Sequence, residues 1–306
     1  MSGQKTKTLL VLTGPTASGK TGLAIRLAQL LGTSIISADS RQCYLGMTIG
    51  TAQPNADELA AAKHYFVDCF PVTEPQSAAD FERLALGYLD KIFAQSDVAV
   101  VCGGTGLYIK ALCEGLDEMP SVDPAISAEI EAGYAQQGLE WLQARMHEED
   151  PTFRGHAEWS NPARLLRALS FVRSTGKSIL EFRSNKPKER PFRTNRLAID
   201  FPRELLYKRI NLRVDEMMKS GLLDEVKAME PYRNLSPLQT VGYSELFEYF
   251  DGNCSLDFAV EKIKQHTRNY AKRQVTWLRR EPDVKWINGL EADAEKILGD
   301  LELIKL

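Results

Sequence analysis

Residues 14–21 read Gly14-Pro15-Thr16-Ala17-Ser18-Gly19-Lys20-Thr21, a G-x-x-x-x-G-K-[ST] phosphate-binding loop. Two glycines let the backbone wrap a diphosphate, so that several N–H groups and a helix N-terminus point at the anion. Lys20 adds a positive charge, and the Thr21 hydroxyl is placed to hold a Mg²⁺ ion. The setting suits such a loop. Thr8–Leu12 precedes it as a buried strand, and Gly22–Leu31 follows it as a helix. Asp39 is the second candidate, because it ends a strand over Ser34–Ala38 and is followed by Ser40-Arg41-Gln42. A carboxylate, ionised at neutral pH, can orient a metal or accept a proton from a nucleophile. A third strand, Asp97–Cys102, runs into Gly103-Gly104-Thr105. An ATPase wants an acid there to hold Mg²⁺ through water, and none is present.

These residues need a frame. Helical patterns over Ala56–His64 and Ala79–Phe93 separate the strands, and alternating strand and helix implies a parallel sheet with helices on both faces. In such α/β sheets ligands sit outside the carboxyl ends of the strands, so the phosphate loop, Asp39 and Thr105 should share one crevice. From about Leu116 the pattern changes to helices alone, at Asp123–Ala135, Leu139–Glu149 and Pro162–Ser174. A polar, basic loop (Arg183–Arg196) leads to a strand at Leu197–Phe201 that returns to the sheet. The reading is a core of residues 1–116 and 191–306, with a helical insertion at 117–190. Helices at Arg203–Lys219, Leu222–Glu230, Tyr243–Phe250, Leu256–Arg280 and Ala292–Leu301 complete the core.

The chain has 306 residues, 43% apolar and 26% charged, which is ordinary for a soluble globular protein. Five cysteines (Cys43, Cys69, Cys102, Cys113, Cys254) form no C-x-x-C pair and show no metal-ligand spacing. Their odd number fits a reducing compartment. The polar start Met1–Lys7 leaves no room for a signal peptide, and no apolar run approaches the ~20 residues of a membrane helix. A cytoplasmic location is expected, and nothing demands more than a monomer.

The net charge is −3, yet Lys262–Arg280 carries seven Lys/Arg and no acid. On a helix, Lys264, Arg268, Lys272, Thr276 and Arg280 follow at four-residue steps as a basic ridge. Val260, Ile263, Thr267, Tyr270, Ala271, Gln274, Trp277 and Leu278 form the opposite, core-facing stripe. Solvated helix faces usually mix signs. An unbroken positive ridge is better explained by contacts to a nucleic-acid backbone. Arg164 and Arg167, one turn apart in the insertion, could extend it.

Together these stretches resemble the tRNA dimethylallyltransferase family. The likeness rests on Gly14–Thr21, Asp39–Gln42 with Tyr44, and Gly46–Ala52. It continues through Gly103-Gly104-Thr105-Gly106-Leu107-Tyr108, Asn161-Pro162, Arg164, Arg167–Leu169, Thr175-Gly176, Arg209-Ile210, Arg213–Asp215, Val241–Tyr243 and Thr267–Gln274. It covers nearly the whole chain. The resemblance implies a P-loop nucleoside-triphosphatase-like fold whose loop grips the diphosphate of dimethylallyl diphosphate rather than ATP. The dimethylallyl group would pass to N6 of the adenosine immediately 3′ of the anticodon, in tRNAs reading codons that begin with U.

The same resemblance implies roles. Lys20, Mg²⁺ on Thr21 and an arginine (Arg213 or Arg209, four apart on one helix face) would stabilise the departing pyrophosphate. Asp39 would take the proton of the attacking amine, and Thr105 would position that amine or the reacting carbon. The adenine must leave its stack. Expected RNA contacts are Asp39, Ser40, Arg41, Gln42 and Thr105, then Gln239, Thr240, Val241, Gly242, Tyr243 and Ser244. They extend to Lys272, Arg273, Gln274, Val275, Thr276, Trp277, Leu278 and Arg279. In the insertion they are Ser127, Ala163, Arg164, Leu165, Leu166 and Arg167. Relatives often carry a basic residue near Ser127 and a longer polar one at Ala163. Two other classes compete: a small-molecule or nucleotide kinase on the same core, and a non-catalytic tRNA-binding or NTP-switch protein. ATP consumption would mark the kinase, and indifference to Asp39→Ala would mark the binder.

Overall fold

Strand β1 (Thr8–Thr13) is buried at every position, as an apolar strand covered on both faces must be. β4 (Val98–Gly103) is equally buried and pairs with it in parallel, Thr8 opposite Val98 and Thr13 opposite Gly103. In this computed structural model, which describes residues 6–155, 158–184 and 186–304, the sheet runs β3-β2-β4-β1-β5-β6. β2 is Ile35–Ser37, β3 His64–Tyr65, β5 Arg193–Asp200 and β6 Val284–Asn288. Every pairing is parallel. The first five residues of the polar lead-in and Asn185 of the basic loop lie outside the described residues.

The helices follow their local signals. α1 (Lys20–Leu31) starts at Gly19 and stops at Gly32, both left-handed, the conformation glycine adopts without strain. α2 (Ala56–Ala61) and α3 (Ala78–Phe93) open on capping boxes, Asn55 with Glu58 and Ser77 with Asp80. Such caps are worth about 1 kcal/mol each. Three elements carry no such mark in the sequence: α4 (Gly106–Glu114), β3 and β6. β3 has only two residues, and β6 is an edge strand with no fully buried position.

The chain folds as two compact units, Met1–Glu114 with Glu189–Leu306, and Gly115–Lys188. The second unit holds α5 (Pro124–Glu149) and α6 (Pro162–Thr175) around Ile130, Leu142, Met146, Phe153, Leu165 and Phe171. The sequence pattern places two helices where α5 lies. Gly138, at φ 75° and ψ −168°, breaks the helical backbone at that point. The first unit continues with α7 (Arg203–Lys219), α8 (Leu222–Ala228), α9 (Tyr243–Phe250), α10 (Leu256–Leu278) and α11 (Ala294–Asp300). Two of its apolar clusters contain alternate residues of β1, Leu9 and Val11 in one and Leu10 and Leu12 in the other, so both sheet faces are covered. Truncating a fully buried leucine such as Leu10 to alanine would cost about 2–5 kcal/mol.

Candidate active site

The turn between β1 and α1 is shaped for an anion. α1 carries no acid in its first turn, so its N–H groups and dipole face the loop unopposed. Gly19 has φ 89°, and a Cβ there would also stand 3.4 Å from the Arg209 guanidinium. Ala17 holds φ 63°, a conformation costly for a residue with a side chain. The Ser18 hydroxyl is buried with no hydrogen-bond partner among the described residues. Among the described residues Lys20 Nζ reaches only the Pro15 carbonyl, at 3.3 Å.

α7 brings two more cations. Ile210 and Val214 are buried on its inner face, which fixes Arg209 and Arg213 one turn apart beside the loop. Arg213 Nη1 donates to Thr16 Oγ1 at 3.3 Å, and the Arg209 guanidinium sits 4.8 Å over the Phe201 ring. Burial lowers the pKa of both Lys20 and Arg213. For Lys20 the Arg213 charge pushes the same way, while Cys102 and Asp39 oppose it. A cluster of desolvated cations is stabilised by a polyanion.

The opposite wall is built on the ends of β2 and β4. Gly103 cannot carry a side chain, since its Cβ would lie 2.2 Å from the Ala38 carbonyl oxygen. That carbonyl accepts from Thr105 N, and Ser40 N donates to Thr105 Oγ1 at 3.0 Å. Asp39 Oδ1 accepts from Arg41 N at 2.9 Å and Gln42 N at 3.4 Å, and no described residue donates to its Oδ2. Gln42 is fully engaged inside the wall. Its Nε2 donates to the Thr51 and Ala52 carbonyls, and its Oε1 accepts from Ser37 Oγ.

α10 ties the two walls together. Gln274, 6% exposed, accepts from Thr16 N through Oε1 (2.8 Å) and donates to the Gly104 carbonyl through Nε2 (3.0 Å). Its neighbour one turn back, Tyr270, hydrogen-bonds Thr105; burial first, then Asp39, raises its hydroxyl to about 12. Sequence reasoning places Tyr270 only in the core, and Gln274 both in the core-facing stripe and against RNA; its burial fits the first placement. The pairing of Gly104 with Gln274 is the available signal, since only a residue without Cβ accepts that amide.

A cavity of about 930 Å³ joins these parts. Thr16, Ala17, Gly19, Lys20 and Thr21 line it, with Asp39–Gln42, Arg209, Arg213, Gln239–Gly242, Ser244, Arg273 and Gln274. Gly14, Pro15, Ser18 and Thr105 lie outside that lining, as do Tyr243, Lys272 and Val275–Arg279. Some expected RNA contacts have side chains committed to packing. Tyr243, Leu278 and Leu165 are buried, and Trp277 covers Gly106, where a Cβ would strike its ring at 2.5 Å.

The ridge on α10 is shorter than its periodicity suggests. Lys264 pairs with Asp215 (2.8 Å) and Glu261 (2.9 Å), and Arg268 donates to Asn211. Lys272, Arg273, Thr276, Arg279 and Arg280 are exposed. Ser127, Ala163, Arg164, Leu165, Leu166 and Arg167 belong to the second unit. There Ser127 Oγ donates to Asp123 O, and Arg164 pairs with Glu158.

At the end of β4, where a nucleotide hydrolase would need a carboxylate, stands Cys102. Burial pushes its thiol up to about 11, so it is neutral at physiological pH. Residues 42–281 match the family model for IPP transferase. The chain belongs to the IPP transferase family. It is 45% identical over 278 residues to a tRNA dimethylallyltransferase of Christiangramia forsetii, covering 91% of this chain and 92% of that one. It is 44% identical over 281 residues to tRNA dimethylallyltransferase 1 of Bacteroides thetaiotaomicron, covering 92% and 91%. Among solved structures, the full-length tRNA isopentenylpyrophosphate transferase from Bacillus halodurans superposes with a TM-score of 0.71 at 33% identity, covering 97% of this chain and 95% of that one. A eukaryotic dimethylallyltransferase acting on tRNA gives 0.77 at 23% identity, covering 97% and 77%, and speaks for the fold. No helix among the described residues is long and apolar enough to cross a membrane.

Proposed function

We propose that this member of the family transfers the dimethylallyl group of dimethylallyl diphosphate to N6 of the adenosine immediately 3′ of the anticodon, in tRNAs reading codons that begin with U. The observation that carries the reading is one cavity with a phosphate loop and three cations on one side and Asp39 on the other. Its metal-holding strand end is replaced by a neutral thiol. That combination suits departure of a diphosphate and abstraction of a proton.

In this mechanism the loop amides, Lys20, Arg213 and Arg209 receive the charge that grows on pyrophosphate as the allylic C–O bond breaks. The allylic carbon shares its positive charge with the double bond, so stabilising the leaving group is the larger contribution. The adenine amine attacks that carbon, and its proton passes to Asp39 Oδ2, the oxygen to which no described residue donates. The Asx-turn through Oδ1 keeps that carboxylate from rotating away. Thr105 acts one layer behind the cavity. By accepting from Ser40 N and bonding Tyr270, it holds the strand end that carries Asp39.

Among the described residues no three His, Cys, Asp or Glu side chains cluster as a metal site. A Mg²⁺ ion fits instead with few protein ligands and the substrate's phosphate oxygens. The hydroxyl of Thr21, a residue of the cavity lining, would hold it, and it would supply further charge for the leaving group. Exposed Arg273, Lys272, Arg279 and Arg280 provide phosphate contacts for the anticodon stem-loop, whose target base is extruded into the cavity. In the second unit, Arg167 on α6 is a separate candidate for phosphate contact. The protein acts as a cytoplasmic monomer.

The test is nucleoside mass spectrometry of unmodified tRNA incubated with the protein and either dimethylallyl diphosphate or ATP. Gain of one dimethylallyl group on adenosine with the first donor only is expected. ATP turnover with an unchanged nucleoside profile would sink the proposal.

A further inference from the structure

Glu225, on α8, lies outside the cavity lining, yet its carboxylate joins two segments that do form it. Oε2 accepts from Ile49 N at 2.7 Å, and Oε1 accepts from Gly50 N at 2.8 Å and from the Tyr243 hydroxyl at 2.6 Å. Both backbone donors belong to the turn that supplies Gly50, Thr51 and Ala52 to the wall. The turn is locked further, since a Cβ on Gly50 would lie 2.6 Å from the Tyr243 ring. The carbonyls of Thr51 and Ala52 then accept both hydrogens of the Gln42 amide, next to Asp39. On the other side, Tyr243 begins α9 immediately after the Gln239–Gly242 stretch of the lining.

We infer that Glu225 is a positioning residue for the RNA-facing half of the cavity. It fixes the turn that clamps Gln42 and, through Tyr243, the segment at 239–242, as one rigid surface. The chemistry specifies a carboxylate. Three donors converge on two oxygens, and a glutamine would turn an N–H₂ group toward an N–H or O–H. The phosphate loop is held by other partners, Gln274 and Arg213, so donor binding is independent of Glu225. The inference rests on the proposed transfer to tRNA only in naming the ligand that this half receives.

The experiment measures two affinities for wild type, Glu225→Gln and Tyr243→Phe: that of fluorescently labelled tRNA by anisotropy, and that of dimethylallyl diphosphate by calorimetry. E225Q should weaken tRNA binding about tenfold or more, and Y243F, which removes one bond of three, about two- to fivefold. Both should keep donor affinity within twofold. A folded E225Q that binds tRNA within twofold of wild type overturns the inference. So does donor affinity that falls by the same factor as tRNA affinity. If E225Q does not fold, Y243F decides alone on the same two readouts. Wild-type protein that binds tRNA but transfers no prenyl group would reject the proposed reaction and leave the Glu225 assignment to these affinities.

Discussion

Replacing Gln274 with leucine keeps the side-chain volume and removes two hydrogen bonds at once. The amide of Thr16 loses its acceptor at 2.8 Å, and the carbonyl of Gly104 loses its donor at 3.0 Å. A buried polar group left unpaired costs about 1–3 kcal/mol. Thr16 and Gly104 are only partly buried, so solvent recovers part of that, and about 2–3 kcal/mol is expected for the pair. At roughly 2–4 °C per kcal/mol for a unit of this size, the melting temperature should fall by roughly 4–12 °C. Part of the same loss should appear in donor binding, because the loop is no longer tied to the end of β4. Calorimetric titration with dimethylallyl diphosphate should show affinity about 5- to 30-fold weaker, which corresponds to about 1–2 kcal/mol. Gly104→Ala provides the converse perturbation, since its Cβ would lie 2.1 Å from Gln274 Nε2 and expel the amide. The two substitutions should be far from additive, because both act on the same pair of groups. Unaltered melting and donor affinity in Q274L, or simple additivity in the double variant, would refute the coupling.

Asp39→Asn preserves an Oδ1 acceptor for Arg41 N and Gln42 N, so the turn should survive while prenyl transfer falls about 10²- to 10⁴-fold with tRNA affinity unchanged. Single-turnover rates near wild type would remove Asp39 as the proton acceptor. Lys20 has its pKa depressed by burial, so below the ordinary value of 10.5 the unfolded chain binds more protons than the fold, and the ligand-free protein should gain stability as pH rises toward that value. Diphosphate binding should reverse the depression and take up a proton at alkaline pH, seen as a binding enthalpy that depends on the buffer's ionisation heat. Lys20→Met should abolish the uptake, and its persistence would implicate another group. Neutralising Lys272 or Arg279 should reduce the salt dependence of tRNA binding by about 0.7 in log–log slope for each phosphate no longer neutralised. Lys264→Ala should leave the slope unchanged, because that ammonium is already paired with Asp215 and Glu261.

Much of the fold is readable because its strongest signals are local. β1, the loop and α1 occupy one contiguous stretch, and capping boxes mark α2 and α3. The elements that escape lack such signals. β3 is two residues long, β6 has no fully buried position on its sheet edge, and α4 opens on a glycine whose bare face is required by Trp277. The candidate site divides the same way. Arg209 and Arg213 enter only through the family resemblance, whereas Asp39 and Lys20 stand out by residue type and setting. Glu225 does not, because an acid four residues into a helix reads as solvated until its three donors, 18 and about 175 residues away, are brought to it. Gln42 reads as an RNA contact and Gln274 as both core-facing and RNA-facing, since an amide near a basic stretch gives no hint that its bonds are already filled.

The α10 ridge shows why periodicity alone overstates a binding surface. Four-residue spacing establishes which residues share a face and says nothing about what packs against it. Lys264 and Arg268 meet Asp215 and Asn211 of α7, the helix that carries Arg209 and Arg213. The first half of the ridge therefore helps hold the diphosphate-facing arginines in place. Of the seven cations in Lys262–Arg280, Lys272, Arg273, Arg279 and Arg280 are exposed for a polyanion, and Lys262, which donates to Gln265, has no acidic partner among the described residues. On the proposed function one helix would serve both substrates: its buried Gln274 and paired cations would organise the donor side, while the cations of its last turns are exposed. Such a division predicts that charge reversal at Lys264 should injure donor binding more than tRNA binding, and reversal at Lys272 the opposite. Titrating each variant with both ligands checks this, and an equal loss for both ligands in either variant would refute it.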